Sequence, residues 1–338
     1  MKNSSSVNLP IGIALLPIIF LVLLLSINVF IYGDDSLNGT NQFILILSGL
    51  FGASIGFIYK VSYKKILTSI SNSVKSVTGA LLILLFVGAL AGTWMISGII
   101  PSMVYYGLKI LDPNIFLPAC VIICSIISVA TGSSWTTSAT VGIALVGIGK
   151  ALGIPAGMVG GAVIAGAYFG DKLSPLSDTT NLAAAVTKVD LFKHIKYLTY
   201  TTIPSITITF IVFIILGFLQ VSDGTTDNTY LLTAITEKFN ISLVLFIVPL
   251  LVLIMIIKKT PPLIALVIGT LTGALFSIIF QPQIISELSS GYNSRLIDTY
   301  VVIMNTITGP INIETNYEIL NDLFSTGGML GMMNTIFL

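Results

Sequence analysis

The sequence predicts an all-α fold, a polytopic transmembrane helical bundle with broken helices or re-entrant hairpins, and three observations carry that prediction. Hydrophobic residues fill 55% of the 338 positions and charged residues only 9%, where a soluble domain carries about 25% charged residues. Apolar runs of near-bilayer length recur along the chain, and about 20 such residues cross the hydrocarbon core. Polar residues gather instead in two short breaks between apolar segments, at 131–138 and 170–181. Breaks of that kind are tolerated at membrane depth only where they are enclosed by protein or line a cavity. The whole chain, 1–338, reads as a single transmembrane transporter domain, with 281–325 as an extracytoplasmic loop.

The apolar runs place spans at 10–32, 42–59, 77–100, 115–130, 136–149, 157–169, 197–220, 241–257 and 261–280. The first run outlasts the about 7–15 residues of a signal-peptide core and has no small-residue cleavage motif, so it reads as a membrane helix. A further apolar run starts at Gly327 and is still continuing at Leu338, and the expectation is a chain missing the C-terminal part of a longer transporter.

Lysine fixes the orientation. Lys60, Lys64, Lys65 and Lys75 share one connection, Lys188, Lys193 and Lys196 a second, and Lys258 and Lys259 a third, with Lys2 at the N-terminus. Acidic residues occupy the alternate connections: Asp34 and Asp35, then Asp223, Asp227 and Glu237, then Glu287, Asp298, Glu314, Glu318 and Asp322. The positive-inside rule puts the lysines and the N-terminus in the cytoplasm. Alternation then requires an odd number of crossings between 101 and 188, where the candidate spans are short and interrupted.

Composition also excludes. A formal net charge of +1 implies no nucleic-acid partner, and no zinc, haem or iron–sulfur spacing is present, so no cofactor is expected. Cys120 and Cys124, four apart on an apolar helix, read as small packing hydrophobes. His194 beside Lys193, Lys196 and Asp190 reads as solvated, and Trp94 as packing or an interface anchor.

The two breaks carry the chemistry. In 170–181 two carboxylates, Asp171 and Asp178, and one ammonium, Lys172, stand among hydroxyls. One charge at the bilayer centre costs about 2.5–3.5 kcal/mol, so three unpaired ones cost roughly 8–10 kcal/mol. Such a cluster points to a solute or ion pathway. Pro175 stops a helix, and Ser177-Asp178-Thr179 opens another through Leu182 and the alanines after it. Taken singly, Asp178 reads as a helix N-cap and Asp171 with Lys172 as a membrane-edge charge pair. In the other break, Gly132 permits an unwound backbone, and freed carbonyls with the hydroxyls of Ser134 and Thr137 are hard oxygen ligands. The plainer alternative there is back-bonding of hydroxyls to helical carbonyls. A carboxylate in a dehydrated site has a raised affinity for protons and can alternate between a proton and a cation.

The stretch Gly170-Asp171-Lys172-Leu173-Ser174-Pro175-Leu176-Ser177-Asp178-Thr179-Thr180-Asn181-Leu182-Ala183 resembles the hallmark motif of the NhaC family of Na⁺/H⁺ antiporters. Thr131-Gly132-Ser133-Ser134-Trp135-Thr136-Thr137 resembles that family's preceding glycine–serine–tryptophan–threonine segment, and Ala91-Gly92-Thr93-Trp94-Met95-Ile96-Ser97-Gly98 and Gly327-Gly328-Met329 resemble further landmarks. The resemblance covers roughly residues 10–338. It implies an inverted-repeat transporter whose second repeat is incomplete here, with the breaks at Ser134 and Asp178 meeting near the midplane. It implies exchange of Na⁺ or Li⁺ for H⁺ across the bacterial cytoplasmic membrane, with lipid, Na⁺ and H⁺ as partners. Some members couple Na⁺ and H⁺ to small carboxylates, exchanging malate for lactate, and such folds often form homodimers.

On that reading Asp178 is the principal cation and proton carboxylate, and Asp171 is a second ligand or a tuner of the first. Thr179, Asn181, Ser134 and Thr137 are neutral oxygen ligands, with Asp178, Asn181 and Ser134 the tentative sodium set. Lys172 pairs with Asp171 in the empty site, and Pro175 and Gly132 hold the helices broken. The protein is not expected to be an enzyme. A remote alternative, an intramembrane aspartyl protease, draws on two membrane aspartates and on Phe169-Gly170-Asp171, but Tyr168 stands where its motif needs glycine and Asp178 follows too soon.

Overall fold

The computed structural model describes residues 10–110, 112–175, 177–220, 229–258, 260–289, 291, 294–315, 320–321, 324–333 and 336. At a few of these positions, Asp178, Thr131 and Thr136 among them, it describes the backbone alone. Several charges of the orientation argument (Lys2, Asp223, Asp227, Lys259, Glu318 and Asp322) lie outside the described residues. Contacts divide the chain into two compact units, Met1–Leu85 with Gly331–Leu338, and Phe86–Leu330.

In the first unit an uninterrupted aliphatic run makes α1 (Ile11–Tyr32), which pairs with α2 (Thr40–Ile58) through a tight 3₁₀ connection. Gly52 lies against Pro17, and the rings of Phe20 and Phe51 stand 4.9 Å apart. At one end the Asn28 amide donates to Thr40 Oγ1 and to Asn41 Oδ1, both at 2.8 Å, and Asn41 donates on to Ser36. These buried amides stay in the pair because each finds a partner where no water would supply one. The next helix, α3 (Tyr63–Ile96), begins fourteen residues before the expected 77. Nothing between Tyr63 and Thr78 is glycine or proline, so the helix continues beyond the apolar run, and Lys64, Lys65 and Lys75 stand exposed on it rather than on a loop.

The second unit continues with α4 (Ile99–Ile110), α5 (Pro113–Thr131), α6 (Ser134–Thr137), α7 (Ile143–Ala151), α8 (Ala156–Leu173), α9 (Asp178–Thr187), α10 (Leu191–Gln220) and α11 (Thr229–Lys238). After these come α12 (Ile247–Ile257), α13 (Pro262–Phe280), α14 (Pro282–Glu287), α15 (Arg295–Thr308) and the four-residue α16 (Gly328–Gly331). A two-residue antiparallel ladder, β1 (Ile311–Asn312) with β2 (Ser325–Thr326), is the strand pairing among the described residues. The segment 281–325 thus contains helices and a small ladder where a plain loop was expected.

Six described helices are long and apolar enough to cross a membrane, and a seventh span is formed if Leu231–Lys238 and Leu243–Ile256, bent by 84° at a short break, count as one. The chain is a multi-pass, all-α membrane protein. The expected straight span 241–257 is the second limb of that bent pair. The expected span 77–100 is also interrupted: α3 stops at Ile96, and Gly98, at φ 78°, turns the chain into α4.

A side chain from far along the sequence enforces that turn. A Cβ on Gly98 would overlap the Gln281 carboxamide. Gln281, 3% exposed, donates through Nε2 to the Asn240 carbonyl at 2.9 Å and accepts the Asn240 N–H through Oε1 at 3.0 Å. One amide therefore saturates the backbone of the α11–α12 bend while lying against the α3–α4 break. Gln281→Ala strands both Asn240 groups, and each stranded group costs about 1–3 kcal/mol. A clear drop in the thermal midpoint of nanodisc-held protein is expected, with Gln281→Glu, which keeps only the acceptor, falling between the two.

Trp94, 2% exposed, packs on α13 and donates its indole N–H to the Gly269 carbonyl at 3.2 Å. Cys120 and Cys124 are free and buried, the packing role expected of them.

Candidate functional site

The expected break after α5 is present and is built locally. Gly132 ends α5 in the left-handed conformation, φ 69°, with its N–H bonded to the Ser128 carbonyl. A left-handed backbone costs a residue with a Cβ about 1–2 kcal/mol. Gly132→Ala should therefore lower stability by about that amount, and Gly132→Asn by less, since asparagine tolerates the conformation; thermal unfolding of both variants tests this. The chain restarts as α6 at Ser134 and passes through a π-helical stretch, Ser138–Gly142, into α7. A π stretch widens a helix and leaves carbonyls off their usual partners, and such stretches recur at functional sites.

The second break is present too. α8 ends at Leu173, Pro175 occupies the gap, and α9 starts at Asp178. The N-cap is Ser177 rather than Asp178: its Oγ accepts the Thr180 N–H at 3.4 Å and its carbonyl accepts the Asn181 N–H. Asp178 is the first helical residue, and its side chain lies outside the described residues. A carboxylate at that position lies in the positive field of the helix N-terminus, which favours its charged form.

Helices α5 and α8 hold the two breaks together. Gly166 and Gly170, four apart, let the backbones touch: a Cβ on Gly166 would strike the Val121 carbonyl, and one on Gly170 would come 2.5 Å from the Ser125 carbonyl and 2.6 Å from the Val129 nitrogen. Small residues at this spacing are the usual means of close helix approach in membranes. Hydroxyls then fasten the pair, Ser128 to the Ala167 carbonyl at 2.5 Å and Ser174 to the Val129 carbonyl at 2.7 Å.

The consequence is one side-chain contact between the breaks. Ser134, 3% exposed, donates from Oγ to Asp171 Oδ2 at 2.9 Å. Asp171 is half-buried. Lys172, the next residue, is exposed, and among the described residues it makes no ion pair with Asp171, whose partner is the serine. Successive residues of a helix point about 100° apart, so only one of the two can face α6.

The remaining expected ligands are placed as follows. Thr137 is buried and its hydroxyl donates back to the Ser133 carbonyl at 2.9 Å. Asn181 gives its amide N–H groups to the carbonyls of Pro175 and Ser177, both at 2.8 Å, and so stabilises the unwound segment directly. Thr179 is exposed, with its hydroxyl 2.9 Å from that of Ser177. Residues not singled out in the sequence also matter: Ser128, Ser174, Ser177 and Thr180 are buried among the break hydroxyls. Thr180 Oγ1 reaches the Asp171 and Lys172 carbonyls at 3.4 and 3.3 Å. Their spacing on the small-residue face of α5 and α8 was the available signal. Among the described residues no group of three or more histidine, cysteine or acidic side chains could hold a resident metal.

Two broken helices joined through a carboxylate–hydroxyl contact within a multi-pass bundle define a class, the broken-helix membrane transporters. A profile of the Na⁺/H⁺ antiporter family matches residues 166–338. The chain is 38% identical over 321 residues to the malate-2H⁺/Na⁺-lactate antiporter of Bacillus subtilis, covering 94% of this chain and 64% of that protein. It is 37% identical over 292 residues to the Na⁺/H⁺ antiporter NhaC of Alkalihalophilus pseudofirmus, covering 86% and 60%. It is 33% identical over 342 residues to an uncharacterized Na⁺/H⁺ antiporter of Haemophilus influenzae, covering 99% and 69%. No solved structure matches it. The chain belongs to the Na⁺/H⁺ antiporter family, and it spans less than two thirds of the length of the first two of these relatives.

Proposed function

We propose that the protein exchanges Na⁺ or Li⁺ for H⁺ across the bacterial cytoplasmic membrane, with its N-terminus in the cytoplasm. The observation that carries the reading is the bond from Ser134 to Asp171, which sets a carboxylate and a hydroxyl oxygen from two different helix breaks side by side. Asp178, one turn into the second break, supplies the principal cation and proton carboxylate, and Asp171 the second. Thr137, Thr179 and the Asn181 carbonyl oxygen are further neutral ligands for a hard cation. A proton on a carboxylate removes the charge that holds Na⁺, and Na⁺ displaces the proton. Exchange follows when the loaded site is presented to either side in turn.

The test is Na⁺-triggered collapse of an imposed pH gradient in proteoliposomes containing the protein, without any carboxylate present. Collapse that Asp178→Asn abolishes and Asp34→Asn leaves intact supports the reading; wild-type exchange with unchanged Na⁺ dependence in Asp178→Asn refutes the site. A second reading, Na⁺- and H⁺-coupled exchange of malate for lactate, is favoured by the 38% identity to the Bacillus subtilis malate/lactate protein over 94% of this chain. Collapse that begins only when malate and lactate are added would select it. A homodimer is the assembly proposed with either reading.

A further inference from the structure

The chain's fifteen lysines and arginines include a single arginine, Arg295. The lysines gather mainly in the connections assigned to the cytoplasm, while Arg295 stands in the acid-rich segment 281–325. It opens α15 and lines a cavity of about 460 Å³ where α13, α14 and α15 meet. The polar wall of that cavity is Arg295, Asp298 and the hydroxyl residues Ser286, Ser289, Ser294 and Thr299. Ser294 occupies the N-cap position of α15, yet its side chain makes no cap bond. Thr299 donates its hydroxyl hydrogen to the Arg295 carbonyl at 2.8 Å, leaving its oxygen as an acceptor toward the cavity wall. Glu287, the acid next along the chain from Ser286, is neutralised by Lys238 at 2.6 Å. Asp298 is therefore the one carboxylate on this wall.

A guanidinium is the side chain suited to holding a carboxylate by two parallel hydrogen bonds. An aspartate one turn away and a set of hydroxyls accept from a hydroxyl or ammonium group beside that carboxylate. We propose that this cavity binds a small carboxylate carrying a hydroxyl or ammonium on the adjacent carbon, with the carboxylate on Arg295 and the substituent toward Asp298. Asp298 disfavours a multiply charged anion such as phosphate, and the volume lies within the about 300–1,000 Å³ usual for small-molecule sites. The cavity contains neither Asp171 nor Ser134, so this site stands or falls apart from cation exchange.

A lone arginine permits a direct test. Phenylglyoxal, which modifies guanidinium groups, should label Arg295, and peptide mass spectrometry reads the labelling rate on the solubilised full chain. Glycolate is the probe, with chloride at matched ionic strength as reference. A ligand at ten times its Kd occupies the site enough to slow labelling about tenfold, and that slowing is the expected result. Ser294→Ala and Thr299→Val should weaken the protection while leaving the rate in chloride unchanged. Equal rates in glycolate and chloride overturn the proposal, and so does protection by inorganic phosphate as strong as that by glycolate, which would mark a plain anion site.

Discussion

Asp171→Asn is expected to weaken the apparent affinity for Na⁺ by two to three decades with little loss of folded protein. Asparagine keeps the volume of aspartate and can still accept the Ser134 hydroxyl bond, now 2.9 Å long, so packing is preserved while the charge is lost. A unit charge about 4 Å from Na⁺ contributes about 4 kcal/mol at an effective dielectric of 20, and about 1.4 kcal/mol is a decade in affinity. Ser134→Ala removes only the hydrogen bond to the charged group, about 1.5–3 kcal/mol, and should fall one to two decades. Lys172→Gln should change little, because Lys172 is exposed and not paired with Asp171. The pH dependence separates a ligand from a bystander. Where a proton and Na⁺ compete for a carboxylate, apparent Na⁺ affinity falls about tenfold per unit of pH below that group's pKa. The slope should flatten in Asp171→Asn if Asp171 is a site of competition. Measured Na⁺ concentration curves for gradient collapse at several pH values decide it: an Asp171→Asn curve matching wild type at every pH removes Asp171 from the site.

The two breaks that hold this pair were legible because the residues making them are local. Gly132 supplies a left-handed backbone, and Pro175 supplies no N–H, so a reader of the sequence can place both. The break at Gly98 was not legible in the same way. A lone glycine in an apolar run is ordinary, and what forces the turn there is Gln281, some 180 residues later, filling the space beside it. The 84° bend before α12 has the same origin, since the same carboxamide saturates Asn240. The roles within the second break were half legible. Asp171 and Asn181 could be named from the motif, but which of Asp171 and Lys172 faces Ser134 depends on the rotation of α8, and that is set by glycines on the α5 side. The π stretch after Thr137 carries no composition of its own and follows from packing. Early onset of α3 was missed for a different reason: polarity was taken to end a helix, whereas polarity ends only the part inside the lipid.

Gly170→Ala should cost more than any other single methyl added to the described helices' glycines, and it should damage the site as well as the fold. The atoms in the way are the Ser125 carbonyl, 2.5 Å from the new Cβ, the Val129 nitrogen and Ser128 Cβ, both at 2.6 Å. Two of the three are backbone, so no rotamer change relieves the clash and α8 must move off α5. Overpacking of this kind costs about 1–3 kcal/mol and occasionally more, and the Ser128–Ala167 and Ser174–Val129 bonds lie in the same seam. Asp171 is the next residue, so the shift also draws its carboxylate away from Ser134. Gly160→Ala, on the same helix, is the control: nothing lies within 4 Å of its Cβ, and alanine in a helix interior gains about 0.5–1 kcal/mol over glycine. The two variants add the same methyl group to α8 and should move the thermal midpoint in opposite directions. Only Gly170→Ala should also lower apparent Na⁺ affinity. If Gly170→Ala unfolds with Gly160→Ala and exchanges as wild type does, close contact of α5 and α8 is not what brings the two breaks together.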